Sequence, residues 1–266
     1  MDQLASPTHL VQARAATLMS LFSLLVTTLL GLQRHFCAHS NLTVLNISLD
    51  GELRVSNFVA RDCCNNSGLV DNDIFQLGLL NFSISYTNNK FTAVGCDTFV
   101  IFNGLSRGQN YTTGCLSFCD HIDSVVNGSC SGIGCCQTSI PEGVTSFIVG
   151  LGSFNYHSTL LDFNPCGFGF VGEEDAYNFS SVDLKFLQNR TIPLVLFWAV
   201  GNETCQYAKR KLTSYACKAA GSECYNFNNG PGYRYNCSLG FQGNPYLLDG
   251  CQGTNINSVC CIVIRI

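Results

Sequence analysis

Alternation of apolar and polar positions dominates the chain after its first forty residues. "LTVLNIS" (Leu42–Ser48) and "ELRVSNFV" (Glu52–Val59) alternate with period two, which puts one face of each strand inside. Asp50-Gly51 lies between them, and both residues tolerate positive φ, so the pair reads as a β-hairpin. "LLNFSISY" (Leu79–Tyr86) and "FTAVGCDTFVIF" (Phe91–Phe102) predict a second hairpin around Asn88-Asn89. "SFIVGL" (Ser146–Leu151), "CGFGFV" (Cys166–Val171) and "IPLVLFWAV" (Ile192–Val200) add three further strands. Helical patterns are short: Ser181–Leu187, after a potential cap at Ser180 and with Asp183 in its first turn, and Glu203–Leu212. The fold class that follows is mainly β.

The first forty residues differ. "AATLMSLFSLLVTTLLGL" (Ala15–Leu32) is an uncharged run of eighteen preceded by Arg14. Its length lies between a secretory h-region, about 7–15 residues, and a spanning helix of about 20. Ala38-His39-Ser40 is a small-x-small cleavage pattern that would leave Asn41 at the start. A cleaved signal is the favoured reading, and an uncleaved anchor is the alternative.

Cysteine changes the picture most. There are 17 in 266 residues, irregularly spaced, with doublets at Cys63-Cys64, Cys135-Cys136 and Cys260-Cys261. Zinc needs paired knuckles or a spaced His pair. Only Cys115-x3-Cys119 approaches that, and His121 and His157 complete no pattern. Disulfides made in an oxidising compartment fit better, so no metal and no cofactor is expected. The glycine-rich stretch "NGSCSGIGCCQTSIP" (Asn127–Pro141) carries three cysteines, which makes it a pinned loop rather than a linker. Ten Asn-x-Ser/Thr sequons point to the same compartment: Asn41, Asn46, Asn65, Asn81, Asn110, Asn127, Asn178, Asn189, Asn202 and Asn236. Net charge is −4, and the longest basic block is Lys209-Arg210-Lys211, which argues against a nucleic-acid partner.

Several blocks are specific enough to carry a resemblance. "NKFTAVGCDTFVIFNG" (Asn89–Gly104), "YTTGCLSFCD" (Tyr111–Asp120), "NGSCSGIGCCQTSIP" and "DFNPCGFGFV" (Asp162–Val171) resemble the extracellular region of plant wall-associated receptor kinases. So does the block Gly201–Gln252, which ends in "YRYNCSLGFQGNPYLLDGCQ". The resemblance implies a leader at 1–40, a partial galacturonan-binding domain at 41–90 and a cysteine-rich region at 91–204. An EGF-like module at 205–251 and a divergent tail at 252–266 complete the plan. It also implies a place outside the cell, secreted into the wall or tethered to the membrane, and a pectin or galacturonan partner.

Departures from the family pattern matter as much. The family's opening Cys-Gly pair and Tyr-Pro-Phe-Gly segment are missing, and so are a glycine-rich phosphate loop and a His-Arg-Asp motif. Of the six EGF-like cysteines, five are present, at Cys205, Cys217, Cys224, Cys237 and Cys251; the sixth position holds Tyr235. The pairing implied by the resemblance is Cys205–Cys224 and Cys237–Cys251, with Cys217 left over. Cys64 stands where the family has an aromatic residue, and the tail "GTNINSVCCIVIRI" (Gly253–Ile266) has no acidic ligands for calcium.

A chain of carboxylate-bearing sugars calls for guanidinium or ammonium groups and aromatic faces. Arg54, Arg61, Lys90 and Arg107, near Tyr86, Phe91 and Tyr111, are the candidate polysaccharide-binding residues. Glycoside hydrolysis is the enzymatic rival, with Glu173-Glu174-Asp175 and Asp162 as the available acids; a non-enzymatic protein is expected. Two other roles stay open: a module that pairs with wall-associated receptor ectodomains, or a truncated product.

Overall fold

The computed structural model describes residues 42–79, 82–210, 215–216 and 219–254. The leader with its cleavage pattern, Asn41, Asn81, Cys37, Cys217, Cys260, Cys261 and the tail beyond residue 254 lie outside the described residues. The described chain divides into two compact units, 42–198 and 199–254.

Three antiparallel sheets build the larger unit. The first runs β1 (Val44–Ile47), β2 (Glu52–Asn57), β13 (Ile192–Trp198), β6 (Phe82–Ile84). The second runs β10 (Cys135–Ser139), β7 (Asn89–Val94), β12 (Cys166–Glu173), β3 (Ala60–Asn65), β4 (Gly68–Asp73). The third runs β5 (Phe75–Gly78), β11 (Val144–Gly152), β8 (Asp97–Ser106), β9 (Gln109–Phe118). The β1–β2 hairpin closes at Asp50-Gly51 as its sequence requires. Position 90/91, expected to divide two regions, falls inside β7, and strands from both sides pair within the second sheet.

The second predicted hairpin does not form. A turn occupies residues 86–88, but β6 pairs with β13 while β7 pairs with β10 and β12. The cause is Asn89. It is fully buried, its amide donates to the carbonyls of Ser85 (2.6 Å) and Val195 (2.7 Å), and its Oδ1 accepts from Val195 N–H (3.0 Å). Those bonds satisfy the backbone where the first two sheets meet, so Asn89 is a structural link and not a turn residue. "FTAVGCDTFVIF" is also two strands, broken at Gly95, whose φ of +151° disfavours a side chain and where an added Cβ would clash with Thr98 Oγ1.

β12 holds the second and third sheets together. Phe168 and Phe170 enter a cluster with Val94, Leu160, Phe179 and Leu184. On its other face a Cβ on Gly169 would lie 2.6 Å from Val100 and 3.2 Å from Val149, both on the third sheet. A Cβ on Gly167 would lie 2.6 Å from Thr98. Alternating phenylalanine and glycine therefore let one strand fill a cavity on one side and admit a second sheet closely on the other.

Disulfides fasten the loops. Cys63–Cys166 joins β3 to β12; Cys96–Cys119 and Cys115–Cys136 tie the 119–136 segment to the residue before β8 and to β9, and Cys130–Cys135 closes a loop within that segment. Cys115 and Cys119 are thus in separate bridges and not in a metal knuckle. Cys64, on the opposite face of β3 from Cys63, is a buried free thiol whose pKa burial raises.

In the 199–254 unit, β14 (Ser222–Asn226) pairs with β15 (Tyr233–Cys237), and β16 (Phe241–Gly243) with β17 (Cys251–Gly253). Bridges join Cys205 to Cys224 and Cys237 to Cys251. Tyr235 is 1 % exposed, and its ring meets Tyr215 (5.5 Å), Tyr233 (5.4 Å) and Tyr246 (5.4 Å), all edge to face. Its N–H donates to Tyr246 Oη at 3.1 Å. Such ring pairs each contribute about 0.5–1.5 kcal/mol beyond burial. Three of them are comparable with the roughly 2–5 kcal/mol of a lost bridge. Packing around this tyrosine is therefore of the same size as one crosslink.

Two predictions follow from this packing. Tyr235→Ala should destabilise the smaller unit by about 3–5 kcal/mol, read as faster hydrogen exchange of the β14–β15 amides; unchanged exchange would mean that the two bridges suffice. His157 supplies the second. It is fully buried, neither ring nitrogen has a partner among the described residues, and burial lowers its pKa although Asp97 and Asp62 oppose this. The folded chain favours the neutral ring, whereas the unfolded chain takes up a proton in the ordinary histidine range. Stability is therefore full above about pH 6.5 and falls with acidification. His157→Leu should flatten the fall in thermal midpoint between about pH 7 and pH 5; an unaltered slope would assign it to the carboxylates.

Candidate carbohydrate-binding surface

The four candidate cations are already engaged. Arg54 Nε donates to Glu173 at 2.6 Å, and Arg61 reaches Asp71 (2.6 Å) and Asp73 (2.9 Å) across the β3–β4 hairpin. Lys90 Nζ lies 3.6 Å from Glu174 and 3.3 Å from Ser139 Oγ. Arg107, in the β8–β9 turn with φ 49°, pairs with Glu142 at 2.7 Å. Arg54 and Lys90 converge on the adjacent pair Glu173-Glu174 at the end of β12; Arg61 has two carboxylates of its own and Arg107 one. Exposed ion pairs of this kind add little stability, typically about 0–1 kcal/mol. Their effect is on recognition: each cation has a partner that an incoming carboxylate would have to displace. Residues 42–198 hold six Lys and Arg against fourteen Asp and Glu, so the unit's own field repels polyanions.

The aromatic candidates separate as well. Tyr86 is 40 % exposed and meets Phe197 edge-on at 6.5 Å. Phe91 is completely buried against Phe102 (5.2 Å), because β7 is covered on both faces between β10 and β12; it presents no face to a sugar, which corrects the sequence expectation. Tyr111 is half-buried against Phe102 and lines a groove of about 320 Å³ with Gln76, Asn103 and Thr112. Burial raises its phenol pKa, so it stays protonated. Asn110 borders the same groove, and a glycan there would stand on its rim.

The sequence reading missed a different surface. On the outer face of the third sheet, Phe99 and Ile101 of β8 stand beside Leu116 and Phe118 of β9, with Leu116 56 % and Phe118 47 % exposed. Phe154, 50 % exposed, covers the end of this row, 5.0 Å from Phe99 and 4.9 Å from Phe118. Its loop is fixed from below. The buried Asp97 carboxylate accepts N–H bonds from Phe154 (3.0 Å), Asn155 (2.8 Å) and His157 (3.2 Å). Tyr156 and His157 hold left-handed φ of 53° and 52°, a conformation costing about 1–3 kcal/mol each in non-glycine residues. The available signal was in "DTFVIF", apolar on both faces where a surface strand would alternate.

The acids considered for hydrolysis are spent or apart: Glu173 and Glu174 are in ion pairs, and Asp162 is exposed in a separate turn. Among the described residues no group of three or more His, Cys, Asp or Glu could hold a metal ion. Seven sequon asparagines are described with their side chains, and all are exposed: Asn46, Asn65, Asn110, Asn127, Asn178, Asn202 and Asn236. The side chain of Asn189 is outside the described set.

No family model matches the chain, and no solved structure resembles it. Known proteins do. Wall-associated receptor kinase 2 of Arabidopsis thaliana is 41% identical over 219 residues, covering 81% of this chain and 29% of the relative. Wall-associated receptor kinase 5 of the same plant is 38% identical over 224 residues, with the same two coverages. Wall-associated receptor kinase 3 is 40% identical over 194 residues, or 67% of this chain and 25% of the relative. The chain thus spans about 29% of the length of the first two relatives. By descent it belongs with the wall-associated receptor kinases, matching the ectodomain-like part of that family.

Proposed function

We propose that this chain is a non-enzymatic, extracellular binding protein of the plant cell wall and that its ligand is pectin. The observation that carries the reading is homology over 81% of the chain to receptors named for wall association. The six bridges among the described residues and the seven exposed sequon asparagines support a secreted location. Among those residues no helix is long and apolar enough to cross a membrane.

The ion pairs bear on how such binding would work. Arg54, Arg61, Lys90 and Arg107 each contact a carboxylate of the same chain. Ligand carboxylates would therefore exchange one ion pair for another, with little net gain. Sugar C–H faces on aromatic rings and hydroxyls on amide groups remain as the main contacts.

The glycosylated protein should be retained on immobilised pectin and not on cellulose; absence of retention on pectins of every degree of esterification would defeat the reading. Raising salt from about 50 mM to about 500 mM should weaken retention less than about three-fold, because contacts between neutral groups are barely screened. A steep salt dependence would restore the cation patch. Lys90→Ala and Arg107→Ala should likewise change pectin affinity by less than about three-fold, about 0.7 kcal/mol, in a titration at low salt. A ten-fold loss would show that these cations bind ligand.

A further inference from the structure

Residues 153–157 follow the end of β11 at Gly152 and precede Leu160, which is buried in the cluster with Phe168 and Phe170. One carboxylate holds this segment down: the buried Asp97 accepts the N–H groups of Phe154, Asn155 and His157. Two features oppose it. Tyr156 and His157 keep left-handed backbones, which a released segment would relax. The His157 ring is fully buried with neither nitrogen partnered among the described residues, and release would let water satisfy both. Phe154 adds only a half-exposed ring to the closed arrangement, against Phe99 and Phe118.

The segment also covers a second buried group. Ser153 is the hydrogen-bond partner of the Cys64 thiol on β3. The charged groups that face His157 are Asp97 at the start of β8 and Asp62 on β3, and the same two acids act on Cys64. Neither acid has a Lys or Arg partner among the described residues. Both draw a proton to the imidazole and burial opposes it; burial is the larger effect, so the closed segment favours the neutral ring. An open segment puts that ring in water, where it takes up a proton in the ordinary histidine range. Proton uptake by the open form shifts the equilibrium towards opening as pH falls. We propose that residues 153–157 are an acid-released latch. Protonation of His157 frees the segment from Asp97, lifts Phe154 from Phe99 and Phe118, and uncovers the Cys64 thiol.

The thiol reports the state of the latch. For a ring that titrates near pH 6.5 when open, going from about pH 7 to about pH 5 favours opening by at most about 25-fold, and the two acids reduce this. The test labels the full glycosylated chain and its His157→Leu and His157→Gln variants with a dipyridyl disulfide under native conditions at both pH values. Cys64 modification is followed by peptide mass spectrometry, and each rate is divided by that of a cysteine peptide at the same pH. Wild-type labelling should rise about ten-fold on acidification, and either variant should cut the rise below about two-fold. Amide exchange separates the latch from global unfolding: Phe154, Asn155 and His157 should lose protection in acid while the β8–β9 ladder keeps its own. A wild-type rise below about two-fold, a full rise in both variants, or equal loss of protection in the ladder overturns the proposal. Should one variant not be secreted, the other decides. Asp97→Asn should label as fast at about pH 7 as the wild type does at about pH 5; labelling as slow as the wild type at about pH 7 would also overturn the latch.

Discussion

The larger unit depends on what β12 does with its two faces. A strand with large side chains on both sides would hold two sheets a full side-chain layer apart. Here Phe168 and Phe170 fill the cluster on one side, and Gly167 and Gly169 let Thr98, Val100 and Val149 come against bare backbone on the other. The Cys63–Cys166 bridge fixes the neighbouring strand to this one. With the third sheet brought so close, the inner side chains of β8 are consumed in packing. The outer ones, Phe99 and Ile101, are what the unit presents to its surroundings. The exposed face is thus a consequence of the core.

The described part of the smaller unit combines two disulfides with a cluster of tyrosine rings. A disulfide acts largely by restricting the unfolded chain, whereas a buried aromatic stabilises the folded one. Tyr235 sits opposite Cys224 in the β14–β15 ladder and draws three other tyrosine rings around it. At this position the stabilisation comes from packing in the native state and not from a constraint on the unfolded one.

Much of this fold was legible in the chain. Period-two alternation located β1 and β2, apolar runs located β11, β12 and β13, and Asp50-Gly51 closed the first hairpin because a tight turn there is a local matter. The Asn88-Asn89 turn was misread for a non-local reason: Asn89 bonds to Val195, more than a hundred residues away, and that bond sends its flanking strands to different sheets. The site was less legible still. Residue type marked Arg54, Arg61, Lys90 and Arg107 as suited to carboxylates, but their own acidic partners come together only through strand pairing and turns. Phe91 and Phe99 are indistinguishable by composition; one is inside and the other outside because Gly95 separates β7 from β8. Phe118 and Phe154 reach Phe99 only once the chain has folded.

The proposed function rests on where the larger unit spends its cations and where it exposes its rings. Arg54, Arg61, Lys90, Arg107 and Arg190 pair with the protein's own carboxylates, and Phe118 and Phe154 stand exposed together on the third sheet. Hydrogen-exchange footprinting of the glycosylated chain with a pectin oligosaccharide tests that proposal most directly. Protection confined to β8, β9 and the 154–157 loop is the result this account requires. Protection centred on Arg54, Lys90 and the Glu173-Glu174 pair, with β8 and β9 unchanged, would contradict it.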